Sequence, residues 1–249
     1  MPIYQNGAVL IRYEVTGDGF PLLIIPGGGL SASIDGLTTH AFNPMVEFAD
    51  SFRCITLDSR NSPNGQSRGP LDIERPWDSF ADDQLSLMDH LGIDKFAVLG
   101  FCIGGPFIWN LLRRAPERIV SGVLTHPSGH RSDQPDQFYQ NNMATWGPRL
   151  CEQRADIDIA MVSQFLHNMY RANPDFVFTV TRDFVRNCET PVLVLPDDIQ
   201  PHPYAVAMET ALLAPNAQVS LYPWKENARK VELAVNHVRM FLNASVPAP

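Results

Sequence analysis

No run of apolar residues in the 249-residue chain is long enough to cross a membrane. The longest apolar stretches, Leu22–Ile25, Val192–Pro196 and Phe96–Gly104, fall well short of the roughly 18 residues that a spanning helix needs. Met1–Gln5 has no basic segment leading into an apolar core, so a secretion leader is not expected and a cytoplasmic location is the default. Positive charge is scarce: 19 Lys and Arg against 27 Asp and Glu give a net charge of −8. Such a surface repels phosphate backbones and anionic lipid, so neither nucleic acid nor a membrane is expected as a partner. The four cysteines, Cys54, Cys102, Cys151 and Cys188, contain no C-x-x-C pair. Zinc-ligand spacing is therefore missing, and a disulfide framework is unexpected in a chain of this size without a leader. The glycines Gly27–Gly29 have no following lysine in P-loop spacing, so a phosphate cradle is not expected either. Neither a metal nor another cofactor is implied.

What the chain does contain is an ample apolar fraction, 45%, and a regular rhythm. Strands are predicted at Ala8–Thr16, Pro21–Pro26, Phe52–Asp58, Lys95–Gly100, Ile119–Thr125, Pro191–Pro196 and Gln218–Tyr222. Helices are predicted at Ser79–Leu91, Ile103–Ala115, Ile157–Tyr170, Pro203–Leu213 and Val231–Leu242, each with apolar residues at helical spacing. Short continuous apolar strands alternating with helices imply a mostly parallel sheet covered on both faces. The rhythm breaks over His126–Cys188, which is rich in Asn, Gln and aromatic residues. We therefore expect a core formed by residues 1–126 and 189–249, with residues 127–188 as a helical cap. Deleting Ile157–Tyr170 is expected to leave the sheet folded. Ligands of such sheets bind beyond the carboxyl ends of the strands.

One such strand end carries Gly100-Phe101-Cys102-Ile103-Gly104-Gly105. This is the pattern of a nucleophile elbow, with cysteine in place of serine. The chain must turn sharply from strand to helix there, and side chains two positions either side would collide. The following helix N-terminus points positive N–H groups at the thiol and favours the thiolate.

The chain resembles the α/β-hydrolases over nearly its whole length. Four features match in order. Pro26-Gly27-Gly28-Gly29-Leu30 resembles the family's oxyanion loop, with Pro26 in place of a histidine. Asp58–Ser67 resembles the D-x-R-G-x-G-x-S turn in lengthened form. The elbow follows, and then Asp197 and Asp198, where the family places its triad acid. The elbow itself is similar to that of dienelactone hydrolases, which use cysteine; the remainder is closer to esterase-like and perhydrolase-like members with a small cap. The resemblance implies Cys102 as nucleophile, with the backbone N–H of Ile103 and that of Gly28 or Gly29 holding an oxyanion.

The family's histidine belongs in the loop after the last strand, but Tyr222–Ala228 contains none. His202, just past the strand Pro191–Pro196, is the expected base, with Asp198 to orient it. His126, after the strand Ile119–Thr125, is the alternative. The expected partner is a small, largely apolar molecule held under the aromatic residues of the insertion, with a homodimer left open. The expected activity is hydrolysis of an ester, lactone or related acyl bond. Carbon–carbon cleavage or acyl transfer in the same pocket, and a non-catalytic binding protein, stand as alternatives.

Overall fold

The structure, a computed structural model, describes residues 2–246. Residues 1 and 247–249 of the expected core segments lie outside the described residues. The elements run in the order β1 (Ile3–Asn6), β2 (Val9–Thr16), β3 (Phe20–Ile25), α1 (Pro44–Glu47), β4 (Phe52–Leu57), α2 (Pro76–His90), β5 (Phe96–Phe101), α3 (Gly104–Arg114) and β6 (Ile119–Thr125). Four helices follow: α4 (Gln137–Ala144), α5 (Trp146–Gln153), α6 (Ile159–Tyr170) and α7 (Arg182–Arg186). The chain closes with β7 (Val192–Leu195), α8 (Tyr204–Leu213), β8 (Ala217–Val219) and α9 (Ala228–Ser245).

The eight strands form one sheet in the order β1-β2-β4-β3-β5-β6-β7-β8. Pairing is parallel from β4 through β8, and antiparallel where β2 meets β1 and β4. The central strands read as continuous apolar runs because both of their faces are covered. Leu22, Leu23, Ile24 and Ile25 of β3 are all buried, each stabilising the fold by about 1.5–3 kcal/mol. Their side chains alternate between two apolar clusters: Leu23 and Ile25 join one with Trp77, Phe107 and Leu111, while Leu22 and Ile24 join the other with Phe48, Trp224 and Val238. The predicted core elements form where expected, with shifts at their ends. Helix α2 begins at Pro76 rather than Ser79, because proline suits the first helical turn, where no N–H is needed. The edge strand β1 carries no apolar stripe and was not predicted; its residues are mostly exposed.

Helices α4–α7 lie between β6 and β7, within the stretch read as an insertion. They do not form an apolar body of their own. Trp146, Phe165, Leu166 and Met169 belong to the same buried cluster as Trp77, Phe80 and Phe107 of α2 and α3. Polar ties reinforce this: the indole N–H of Trp77 donates to the carbonyl of Met169 at 2.8 Å, and that of Trp146 to the carbonyl of Asn61 at 3.1 Å. Removing Ile157–Tyr170 would therefore uncover apolar surface on α2 and α3. No helix among the described residues is long and apolar enough to cross a membrane.

Candidate active site

Cys102 stands between β5 and α3 with a backbone φ of 55°, a left-handed conformation that L-residues rarely adopt. The turn is tight on every side, and this explains the glycines. A Cβ at Gly100 would lie 2.8 Å from backbone atoms of Gly104, and one at Gly105 would lie 2.4 Å from Cβ of Pro127. The Cys102 N–H donates to the carbonyl of Thr125 at 3.0 Å, and the Cys102 carbonyl accepts from Ser128 at 2.9 Å. The elbow is thereby tied to the loop after β6, which brings the Ser128 hydroxyl to 3.2 Å from the thiol sulfur.

A second loop faces the thiol from β3. Gly28 and Gly29 have φ of 115° and 60°, and both line a cavity of about 440 Å³ together with Cys102 and Ile103. The Gly28 N–H is near enough to the sulfur to favour its charged form. The loop is braced from behind by the Asp58 carboxylate, which accepts from the N–H groups of Ile34 at 2.8 Å and Gln66 at 2.7 Å. A Cβ at Gly65 would strike that carboxylate at 2.7 Å. Arg60, two residues on, is buried against Asp83 at 2.8 Å. The Asp58–Ser67 turn is therefore a brace for the Gly28–Gly29 loop.

The loop after β7 supplies the imidazole. The His202 N–H donates to the Ile199 carbonyl at 2.9 Å, folding the chain back after Asp197. Nδ1 of His202 then lies 3.2 Å from Oδ2 of Asp197. The neighbouring Asp198 is exposed and makes no such contact. The expectation of Asp198 as the orienting carboxylate is corrected to Asp197, because the turn returns the ring over the buried residue of the two. Asp197 is also held by the ammonium of Lys225. Lys225 comes from the loop after β8, the stretch that lacks a histidine, and it is placed by Trp224, whose indole N–H donates to the Pro196 carbonyl at 2.9 Å.

The electrostatics of the thiol follow from these neighbours. Burial alone would push Cys102 up, but the proximity of His202, the Ser128 hydroxyl and the Gly28 N–H together pull it down to about 7. Burial likewise works against a charged His202, and the thiolate and Asp197 outweigh it, raising the imidazole above its ordinary value. Nε2 of His202 is buried with no hydrogen-bond partner among the described residues. The ring is close enough to the sulfur to stabilise the thiolate, and catalytic hydrogen bonds commonly tighten when substrate binds.

His126 also lines the cavity, 4.6 Å from His202 between ring centroids. Burial first, and then the nearby charges of His202 and Lys225, keep it far below its ordinary value and therefore neutral. His40 belongs here too. Its ring stacks on Phe101 at 4.3 Å, and a Cβ at Gly27 would strike it at 2.7 Å. Burial, Lys225 and His202 lower it to about 4. No local pattern in the sequence marks His40, Lys225 or Ser128. The remaining cavity wall combines four aromatic rings, those of Trp77, Phe138, Tyr170 and Phe178, with polar residues that include Asn142 and Thr145. Cys54 is buried elsewhere and pushed up to about 12 by burial and the Asp50 charge. His237 is on α9, paired with Gln218.

A strand-to-helix elbow, a glycine loop opposite it and a histidine beyond β7 are thus brought together at the carboxyl edge of the sheet. Residues 21–203 match the family model described as the alpha/beta hydrolase fold. The chain belongs to the alpha/beta hydrolase fold family. Among curated proteins, it is 22% identical over 195 residues to the uncharacterized carboxylesterase nap of Bacillus subtilis strain 168, covering 72% of this chain and 62% of that one. The curated relatives are matched over only part of their length, as little as 35%. Among solved alpha/beta hydrolase-like structures, the meta-cleavage product hydrolase CumD of Pseudomonas fluorescens IP01 superposes with a TM-score of 0.70 at 18% identity, over 96% of both chains. The enol-lactonase of Burkholderia xenovorans LB400 gives a TM-score of 0.67 at 17% identity, over 97% of this chain and 100% of that one. The names of the curated relatives include a carboxylesterase, a putative carbamate hydrolase and a putative non-heme bromoperoxidase.

Proposed function

We propose that the chain is a cysteine-dependent hydrolase acting on an ester, lactone or related acyl bond of a small, largely apolar substrate, with α4–α7 serving as its cap. The observation that carries this reading is the line Cys102, His202, Asp197: a thiol held near a pKa of about 7 beside an imidazole whose far nitrogen faces a buried carboxylate. The thiolate attacks the carbonyl carbon. The negative oxygen that forms is met by the N–H of Ile103 and that of Gly28 or Gly29, each such donor being worth on the order of 3 kcal/mol. The His202 imidazolium gives its proton to the departing oxygen, leaving a thioester on Cys102. His202, neutral again, takes a proton from water, the hydroxide displaces the thiolate, and the acid leaves. Asp197 orients the ring throughout. The alternative of a binding protein rested on the missing late-loop histidine; His202 beside Cys102 supports turnover over binding alone.

The test is a screen of aryl esters with mass detection of the intact protein. An acyl adduct should map to Cys102, and Cys102→Ala should abolish turnover while remaining folded. His202→Ala should reduce turnover by about 100-fold or more and let the adduct accumulate. Undiminished turnover in Cys102→Ala would reject the reading.

A further inference from the structure

A second cavity, of about 750 Å³, lies beside the Cys102 cavity and shares three of its walls, Phe138, Asn141 and Pro201. Phe138 and Asn141 are three residues apart on α4, so one face of that helix borders both spaces. The inner cavity sets four aromatic rings beside polar residues that include Asn142 and Thr145, whereas the outer one holds five side-chain amides, Gln134, Gln137, Gln140, Asn141 and Gln200, and only one aromatic ring. Its single ionisable wall residue, Asp136, is already neutralised by a two-pronged pair with Arg171, at 2.7 and 3.0 Å. Two of the amides hold the cap to the loop that carries His202. Gln137 donates to the Gln200 carbonyl at 3.1 Å, and Gln200 donates to Oε1 of Gln134 at 2.6 Å. Oε1 of Gln137 is left buried with no partner among the described residues.

We propose that the outer cavity is a second substrate subsite, which takes an uncharged group bearing both hydrogen-bond donors and acceptors, attached to the acyl compound whose carbonyl lies at Cys102. The proposal rests on the hydrolase reading above and extends it to a two-part substrate. Amide side chains offer donors and acceptors together. A carboxylate or ammonium would enter without a free counter-charge, and an alkyl group would strip water from the amides without replacing its hydrogen bonds. An amide and a polyhydroxyl group share the required chemistry.

Two series of esters separate these sources. In one the alcohol carries an acetamido, a dihydroxyl, a carboxylate, a trimethylammonium or a plain alkyl extension of matched length. In the other the acyl chain carries the same five extensions. In one of the series, the acetamido or the dihydroxyl member should exceed the alkyl member in kcat/KM by about tenfold or more, and both charged members should fall below it. Gln140→Ala and Gln137→Leu should each shrink that ratio toward one. Non-hydrolysable ether analogues, titrated calorimetrically onto Cys102→Ala, should show the same order of affinities. Alkyl members equal or superior in both series, or a preference that survives both substitutions, would overturn the subsite. Selective binding of the ethers without turnover of any ester would instead sink the hydrolase reading and leave the subsite standing.

Discussion

The Cys102 thiol is caught between burial, which opposes its charge, and three polar neighbours that favour it. Because its pKa in the folded protein lies below the ordinary thiol value, the thiolate is present at lower pH than for any exposed cysteine. Alkylation by iodoacetamide should therefore rise with pH through a midpoint near 7 and reach Cys102 before Cys54, Cys151 or Cys188. In His202→Ala, burial remains while the largest favourable neighbour is gone, so the midpoint should move up. An unchanged midpoint would detach His202 from the thiol. The two aspartates give a sharper contrast. Asp197→Asn should lower turnover on the order of 100-fold, since the ring loses its orienting charge. Asp198→Asn, at an exposed carboxylate, should leave kcat unchanged. At this scale the placement of Cys102, Gly28 and Ile103 at one cavity was legible because their signals are local: a cysteine inside its own glycine frame, and glycines directly after a strand. The choice between Asp197 and Asp198 was not legible, because both follow the same strand and only the direction of the turn to His202 separates them.

Among the elements, the β5–α3 elbow and the Asp58–Ser67 turn do the positioning, and both act through backbone proximity. Gly100→Ala would press a methyl against the Gly104 backbone, and Gly105→Ala against Pro127. Each should destabilise the protein by about 1–3 kcal/mol, the usual range for overpacking, seen as a lower urea midpoint at constant slope. Gly36 provides the control. It has ordinary φ, and a Cβ there would make only an ordinary contact of 3.6 Å with Ser33, so Gly36→Ala should leave the midpoint nearly unmoved. Equal behaviour of all three variants would mean the elbow tolerates repacking. The order of strands and helices in the core was readable because buried parallel strands are apolar throughout and covering helices keep a single stripe. The short helices α4, α5 and α7 were not, since each is only two turns or so and none carries a complete stripe of its own.

For the whole molecule, the question is whether α4–α7 fold as a unit. Their apolar residues share one cluster with α2 and α3, and Trp146 reaches across to the Asp58–Ser67 turn. Trp146→Ala should cost about 3–5 kcal/mol while keeping a single unfolding transition, with tryptophan fluorescence and far-ultraviolet circular dichroism coinciding. Two separated transitions would instead identify the inserted helices as an independent unit.

The sheet, the corner at Cys102 and the facing glycine loop are all written locally along the chain. Each is encoded within a few consecutive residues, as apolar runs, helical periodicity or obligatory glycines. The surroundings of the thiol, by contrast, are assembled by folding. His40, His126, His202 and Lys225 come from four separate loops, after β3, β6, β7 and β8. Parallel strands all end at one edge of the sheet, so residues as much as 197 positions apart, from Gly28 to Lys225, share one cavity. Side chains that meet only there carry no mark in their own neighbourhoods. That is why the lysine on Asp197 and the histidine stacked on Phe101 emerge only when the chain is folded.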